Sequence, residues 1–237
     1  MAAALVQSKS AAQNTGLATV SALWDTPAVA GNLLIMSVGS DDYAASPPSL
    51  WNQSTGCKQE TFLGHYFWWK VAAGGETSRS YTIGSGSPSC WATAEYSGLE
   101  LSPYDISNGT LLGSSGLTMT TPSITPSAGE RLVISSIGGT LSTGSLTLAT
   151  WLNSFAERQD IGTTLGSGTR DVVGLADLAA TYNGSTGVSS GATYSGTAQS
   201  RTGIIISFKV ATGGGGPAFI AQPNRPILQA VHRASYW

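Results

Sequence analysis

"TPAVAGNLLIMSVGS" (Thr26–Ser40) is answered later in the chain by "TPSITPSAGERLVISSIGG" (Thr121–Gly139). Each stretch opens on Thr-Pro, turns at Ala-Gly and runs on into an apolar segment, so one short plan is used twice. Their surroundings match as well. "GLATVSALW" stands before the first and "GLTMTTPSI" leads into the second, and each is followed by a tryptophan, Trp51 in "SLWNQ" and Trp151 in "ATWLN". Then come "GHYFWWKVAA" against "TRDVVGLADLAA", and "SCWATAEYSG" against "SRTGIIISFKV". Four or five matched elements in the same order predict a tandem duplication within one domain, residues 1–211, with repeats at about 16–100 and 116–211.

The repeated segments read as strands. In "HYFWWKVA", His65, Phe67, Trp69 and Val71 fall on one face and Tyr66, Trp68 and Lys70 on the other. "NLLIMSV" and "GIIIS" are apolar on both faces, as befits strands covered from two sides. Turn signals such as "ASPPS", "AAGGE" and "NGSTG" recur at the short intervals of an antiparallel sandwich rather than at those of βαβ units. Thirty glycines and few charged straight-chain residues suit strands and tight turns better than helix surfaces. The expected fold is all-β: an antiparallel, jelly-roll-like β-sandwich of eight to ten strands, built from two related halves. "LNSFAERQDIG" (152–162) fits one or two helical turns, or a loop.

Eleven Lys and Arg against thirteen Asp and Glu leave a net charge of −2 over 237 residues. Such a chain offers neither nucleic acid nor an anionic membrane an electrostatic footprint. No apolar run reaches 18 residues, so no membrane span is expected, and the N-terminus lacks the basic and apolar regions of a signal peptide. A surface so weakly charged suits a protein packed among neighbours, which points to a homo-oligomer or multi-copy assembly.

The chain closes with "GGGGPAFIAQPNRPILQAVHRASYW" (213–237). Residues 212–216 read as a glycine linker and 217–237 as an extended C-terminal arm. Disordered leftovers are poor in aromatic and aliphatic residues, whereas this stretch holds Phe219, Ile220, Ile227, Leu228, Val231, Tyr236 and Trp237, with Arg225 and Arg233 between them. The expected role is an assembly arm, whose apolar anchors bury in a groove of a neighbouring subunit while the arginines pair with carboxylates.

Chemistry is harder to find. The two histidines, His65 and His232, have no nucleophile-elbow serine nearby. Glu95, inside the apolar "CWATAEYSG", reads either as the acid of a glycosidase or, preferably, as a cross-strand partner of Lys70 or an edge-facing carboxylate. "SDDY" (40–43) supplies too few oxygens for calcium, and Asp171 and Asp177, six apart on one strand face, make no cluster. Cys57 and Cys90 read as buried thiols or as a single bridge. No catalytic residue, cofactor or metal is expected. Tyr66 and Trp68, on one strand face, are candidate contacts for a host cell-surface glycan or a partner, against core packing as the preferred reading.

The succession "VQSKSA", "AGNLLIMSV", Pro-Pro followed by Trp, "YFWWKVAAGGE", "YTI", "WATAEYSGLE" and a second "AGERLVISS" resembles a β-sandwich domain of virion proteins of tailed bacteriophages, especially those infecting actinobacteria. The resemblance covers about residues 4–210. It implies a non-enzymatic virion structural protein located in the tail or on the capsid exterior, with other virion proteins as partners. A minor tail or tail-tip component is the first expectation and a capsid decoration protein the alternative. The rival from another class is a secreted carbohydrate-binding module or glycan hydrolase.

Overall fold

A computed structural model of the chain describes residues 2–40, 47–55, 58–60, 63–83, 87–141, 146–164, 170–178, 182–183 and 186–212. The first half holds β1 (Ala4–Gln13), β2 (Thr19–Leu23), β3 (Leu33–Ser40), β4 (Asn52–Gln53), β5 (Lys58–Glu60), β6 (Leu63–Val71), β7 (Ser78–Thr82) and β8 (Ser89–Ser97). The second holds β9 (Leu99–Leu112), β10 (Gly116–Thr120), β11 (Glu130–Leu141), β12 (Leu148–Leu152), β13 (Phe155–Gly162), β14 (Arg170–Leu178), β15 (Tyr182–Asn183), β16 (Gly191–Ala198) and β17 (Ser200–Val210). No helix occurs among the described residues. The fold is all-β and antiparallel throughout, in the manner of a β-sandwich.

Two large sheets carry the same strand order. The first runs β1-β8-β3-β6-β4, with β5 also on β6; the second runs β9-β17-β11-β14-β13, with β15 also on β11. Two small sheets, β2-β7 and β10-β16-β12, complete the halves. Each half is therefore one large sheet with its own small covering sheet, and the repeat begins at β1 and β9 rather than at residues 16 and 116. The turns ahead of β3 and β11 match as well, with Gly31 and Gly129 both in the left-handed region at φ 87° and 105°.

The large sheets pack face to face. Leu33, Ile35, Phe67 and Ala94 of the first meet Leu132, Ile134, Leu175 and Ile206 of the second in one core. On the outer side of the first sheet, Leu34, Met36, Val38, Tyr66 and Trp68 pack beneath Val20, Ala22 and Tyr81 of β2 and β7. On the outer side of the second, Ile137 and Val172 pack beneath Met119, Ala192 and Tyr194. Four layers result, and β3 is buried at every residue because it is an inner strand covered on both faces. The expectation of eight to ten strands in two sheets falls short because each half supplies its own cover.

The halves meet with near two-fold equivalence. Ser37 pairs with Phe67 and Ala92, and Ser136 with Leu175 and Ile204, so the two serines hold corresponding places. Their hydroxyls lie 2.6 Å apart across the interface. By the same register His65 corresponds to Val173 and Gly39 to Gly138. A methyl group on Gly138 would lie 3.1 Å from the His65 ring, and one on Gly39 would lie 3.5 Å from the Val173 Cβ. Residue i touching j′ while j touches i′ is the signature of an isologous contact, here within one chain.

Residues 152–162 are neither helix nor loop. Asn153 and Ser154, at φ 57° and 64°, form a tight turn between β12 and β13, and the chain beyond it is a strand. Asparagine tolerates that backbone, and pairing with β14 decides the rest.

Candidate functional site

Corresponding ends of the sandwich are closed differently, and the difference locates the site. At one end Asp177 on β14 faces Tyr96 on β8. The Tyr96 hydroxyl donates to Asp177 Oδ2 at 2.7 Å, and Arg158 donates through Nε and Nη2 at 2.9 and 2.7 Å. Asp177 is 2% exposed, so this end is closed over a buried carboxylate paired with a half-exposed arginine. Burial, together with the Asp177 charge, pushes the Tyr96 hydroxyl up, so it acts as a donor.

The register maps Asp177 onto Trp69 and Tyr96 onto Phe208. At that second end Trp69 meets Phe208 edge-on, with ring centroids 5.5 Å apart, and stacks on Tyr104 of β9 at 5.8 Å with the planes 3° apart. Among the described residues no charged side chain takes the place that Asp177 holds at the other end. An open groove of about 400 Å³ remains, lined by Leu50, Asn52, Trp69, Leu101, Tyr104 and Lys209 among others. Leu101 is 82% exposed and Leu50 86% exposed, the latter held at φ 69°, which a leucine rarely adopts. Lys70 on one wall is tied to Glu76 at 2.8 Å. Burial alone would raise the Glu76 carboxyl, but Lys70 and the Ala73 and Gly74 amides hold it down at about 2. Lys209 has no ion-pair partner among the described residues. The site offers apolar contact with a cation at its rim.

The residues singled out from sequence lie elsewhere. Tyr66 and Trp68 stack on each other at 5.2 Å beneath the small sheet, 2% and 0% exposed, so neither presents a ring to a sugar. Alternation correctly put Trp69 on the opposite face of β6, and that face reaches the surface at the strand's end. Glu95 is fully buried, and it pairs neither with Lys70 nor at an edge. It accepts from Gln7 Nε2, from the Val29 amide at 2.9 Å and from Asn32 Nδ2 at 2.6 Å, and so fastens β1 and the 29–32 turn to β8. His65 is enclosed among the hydroxyls of Ser37, Ser136 and Thr202, and burial holds its ring down to about 3. Cys90 is a free, buried thiol pushed up by burial and by Asp171 and Asp160. No metal-holding group of His, Cys, Asp and Glu occurs among the described residues.

Asp171 and Asp177 share a face of β14, as the spacing predicts, and both are buried. Cys57, most of "SDDY" and the whole arm, Phe219 to Trp237 with Arg225 and Arg233, lie outside the described residues. No helix among the described residues is long and apolar enough to cross a membrane. Sequence reading missed Leu50, Leu101 and Tyr104. Their signals were faint: an apolar residue after "SPPS", and a Pro103 beside an aromatic within β9. In comparisons with known proteins, no family model, no curated protein and no solved structure matches the chain.

Proposed function

We propose that the protein is a non-enzymatic, multi-copy structural component of a tailed-phage virion, a tail or tail-tip subunit fastened to its neighbours by the arm at 217–237. The observation that carries the assembly part of this reading is the apolar groove, where nearly bare leucines flank an aromatic pair on a body whose corresponding end is sealed. The engagement of Glu95 with three donors, and of His65 with buried hydroxyls, fits structural rather than chemical roles for both. The virion placement rests on the family resemblance alone, and a capsid decoration protein would share the same body and arm. The test is to image and fractionate purified particles with and without residues 213–237. The expected outcome is a folded truncated chain that no longer incorporates. Normal incorporation of the truncated chain would refute the arm's role, and absence of the full chain from particles would refute the placement.

A second reading has one observation in its favour. Trp69 and Tyr104, beside Asn52 and Lys209, offer the aromatic and polar contacts that a saccharide uses. Glycan binding abolished by Tyr104→Ala would support it, and a blank glycan array would remove it.

A further inference from the structure

We propose that the groove bounded by Leu50, Trp69, Leu101 and Tyr104 is the receptor for the C-terminal segment 217–237 of a neighbouring copy of this chain, an inference that rests on the assembly reading above.

The surface requires a cover. Leu50 and Leu101 expose more than four-fifths of their area beside a half-buried tryptophan, which is where a binding anchor gains most by excluding water. The other end of the sandwich shows that the fold does not require such exposure, since Arg158 and Asp177 close it. The residues corresponding to Leu101 and Pro103 sit at the start of the first repeat among "AAA" (2–4), so the bulk on the groove wall belongs to the second repeat only.

The chain supplies an occupant of suitable chemistry. The described residues end at Thr212, three positions beyond Lys209 on the groove rim. Beyond it lie four glycines and then a segment whose anchors are Phe219, Ile227, Leu228 and Trp237. Its prolines favour extended backbone, and fully extended it reaches on the order of 70 Å. The exit direction starts the arm away from its own groove. β17 runs antiparallel to β9, pairing Phe208 with Tyr104, then Val210 with Leu99, and the Ala211 amide donates to Gly98 O at 2.9 Å. The chain thus leaves in the direction from Tyr104 towards Gly98, away from its own aromatic pair. A net charge of −2 opposes the approach of a second copy only weakly.

The test uses the full-length chain and two variants that spare the core. Leu50→Asp with Leu101→Asp removes the receptor, and the aspartate suits the left-handed backbone at position 50. Phe219→Asp with Ile227→Asp and Trp237→Asp removes the anchors. Sedimentation velocity across a concentration series is expected to show self-association of the parent chain, weakened tenfold or more in either variant. Mixing the two variants is expected to restore one-to-one pairs, because one brings an intact arm and the other an intact groove. Loss of association in the anchor variant but not in the groove variant would overturn the inference and leave the assembly arm standing. Association unchanged in both would overturn the inference and the arm together. A parent chain that stays monomeric at every concentration would overturn docking between copies.

Discussion

His65 shows how one polar side chain can sit at the centre of an apolar interface. Its ring bonds to Ser136 at 2.8 Å and to Thr202, with Ser37 adjacent, and its complete burial disfavours the charged form of the ring. The sign of the pH dependence follows. The folded-state pKa of about 3 lies below the ordinary value of 6.5, so the unfolded chain takes up a proton first as pH falls. Stability from this group is complete above pH 6.5 and is lost between there and pH 3. At pH 5 the loss amounts to about 2 kcal/mol. Asp160 works in the opposite sense, since burial raises its carboxyl to about 6 and its protonation on acidification favours the folded state. The comparison must therefore be made against His65→Val, the residue found at the corresponding place in the second half. Urea unfolding at pH 7 and pH 5 is expected to show the parent losing about 2 kcal/mol relative to that variant, and parallel profiles would contradict a neutral buried ring. Gly138, directly under the ring, admits a methyl group only if the hydrogen-bonded ring gives by a few tenths of an ångström, since the nearest heavy atoms lie 3.1 Å from an ideal Cβ. Gly138→Ala is expected to cost about 1–3 kcal/mol in the same assay.

Between strands, the two halves fix the same turn by different means. In the first, Glu95 on β8 receives the Val29 amide; in the second, Asp105 on β9 receives the Ser127 amide at 3.0 Å. Ser127 precedes Ala-Gly in its repeat as Val29 does in the other, and Ser207, which corresponds to Glu95, donates to Asp105 at 3.2 Å. The carboxylate has moved to the adjacent strand while its target amide has stayed. Burial pushes Asp105 up, but the Ser127 and Ser207 hydrogen bonds and the Arg131 charge prevail and hold it below the ordinary range. Glu95→Ala would strand the Asn32 amide and the Val29 N–H and leave Gln7 bonded only to Thr26, at a cost on the order of 3 kcal/mol, while Glu95→Gln keeps one acceptor and should cost less. Thermal melts of the two variants test this, and equal, negligible shifts would show the latch to be idle. Such elements were only partly legible in the sequence. Strand positions and their repetition were readable because apolar alternation and turn residues are local. The partners of Glu95 were not, since Gln7, Val29 and Asn32 lie more than sixty positions away and nothing local encodes the pairing. Runs such as "NLLIMSV" announced cover on both faces, but not that the second cover would be a separate small sheet.

At the scale of the whole molecule, every ladder among the described residues is internal to one half. All pairings of β1 to β8 end at Ser97, and all those of β9 to β17 begin at Leu99. Gly98, at φ 81°, is the joint between them. The groove lies where Trp69 of one half meets Phe208 and Tyr104 of the other, so its position depends on how the halves dock and no strand pattern could reveal it. What joins the halves is mainly the face-to-face core, with His65 and the two serines pinning its register. A chain cut at Gly98 therefore severs no ladder, but it exposes a broad apolar face on each fragment, including Leu33, Ile35 and Phe67 on one and Leu132, Ile134 and Phe208 on the other. Residues 1–98 and 99–237 made separately are expected to aggregate, whereas the two made together in one cell should associate and co-purify as a single species. The reassembled pair should melt below the intact chain, because joining two fragments costs the association entropy that the covalent link removes. Co-purification of the fragments tests the claim that the face-to-face core, with the hydrogen bonds that cross it, specifies the union without any shared ladder. Two soluble, non-interacting fragments would show instead that each half is an independent domain, and would leave the groove between them without a fixed shape.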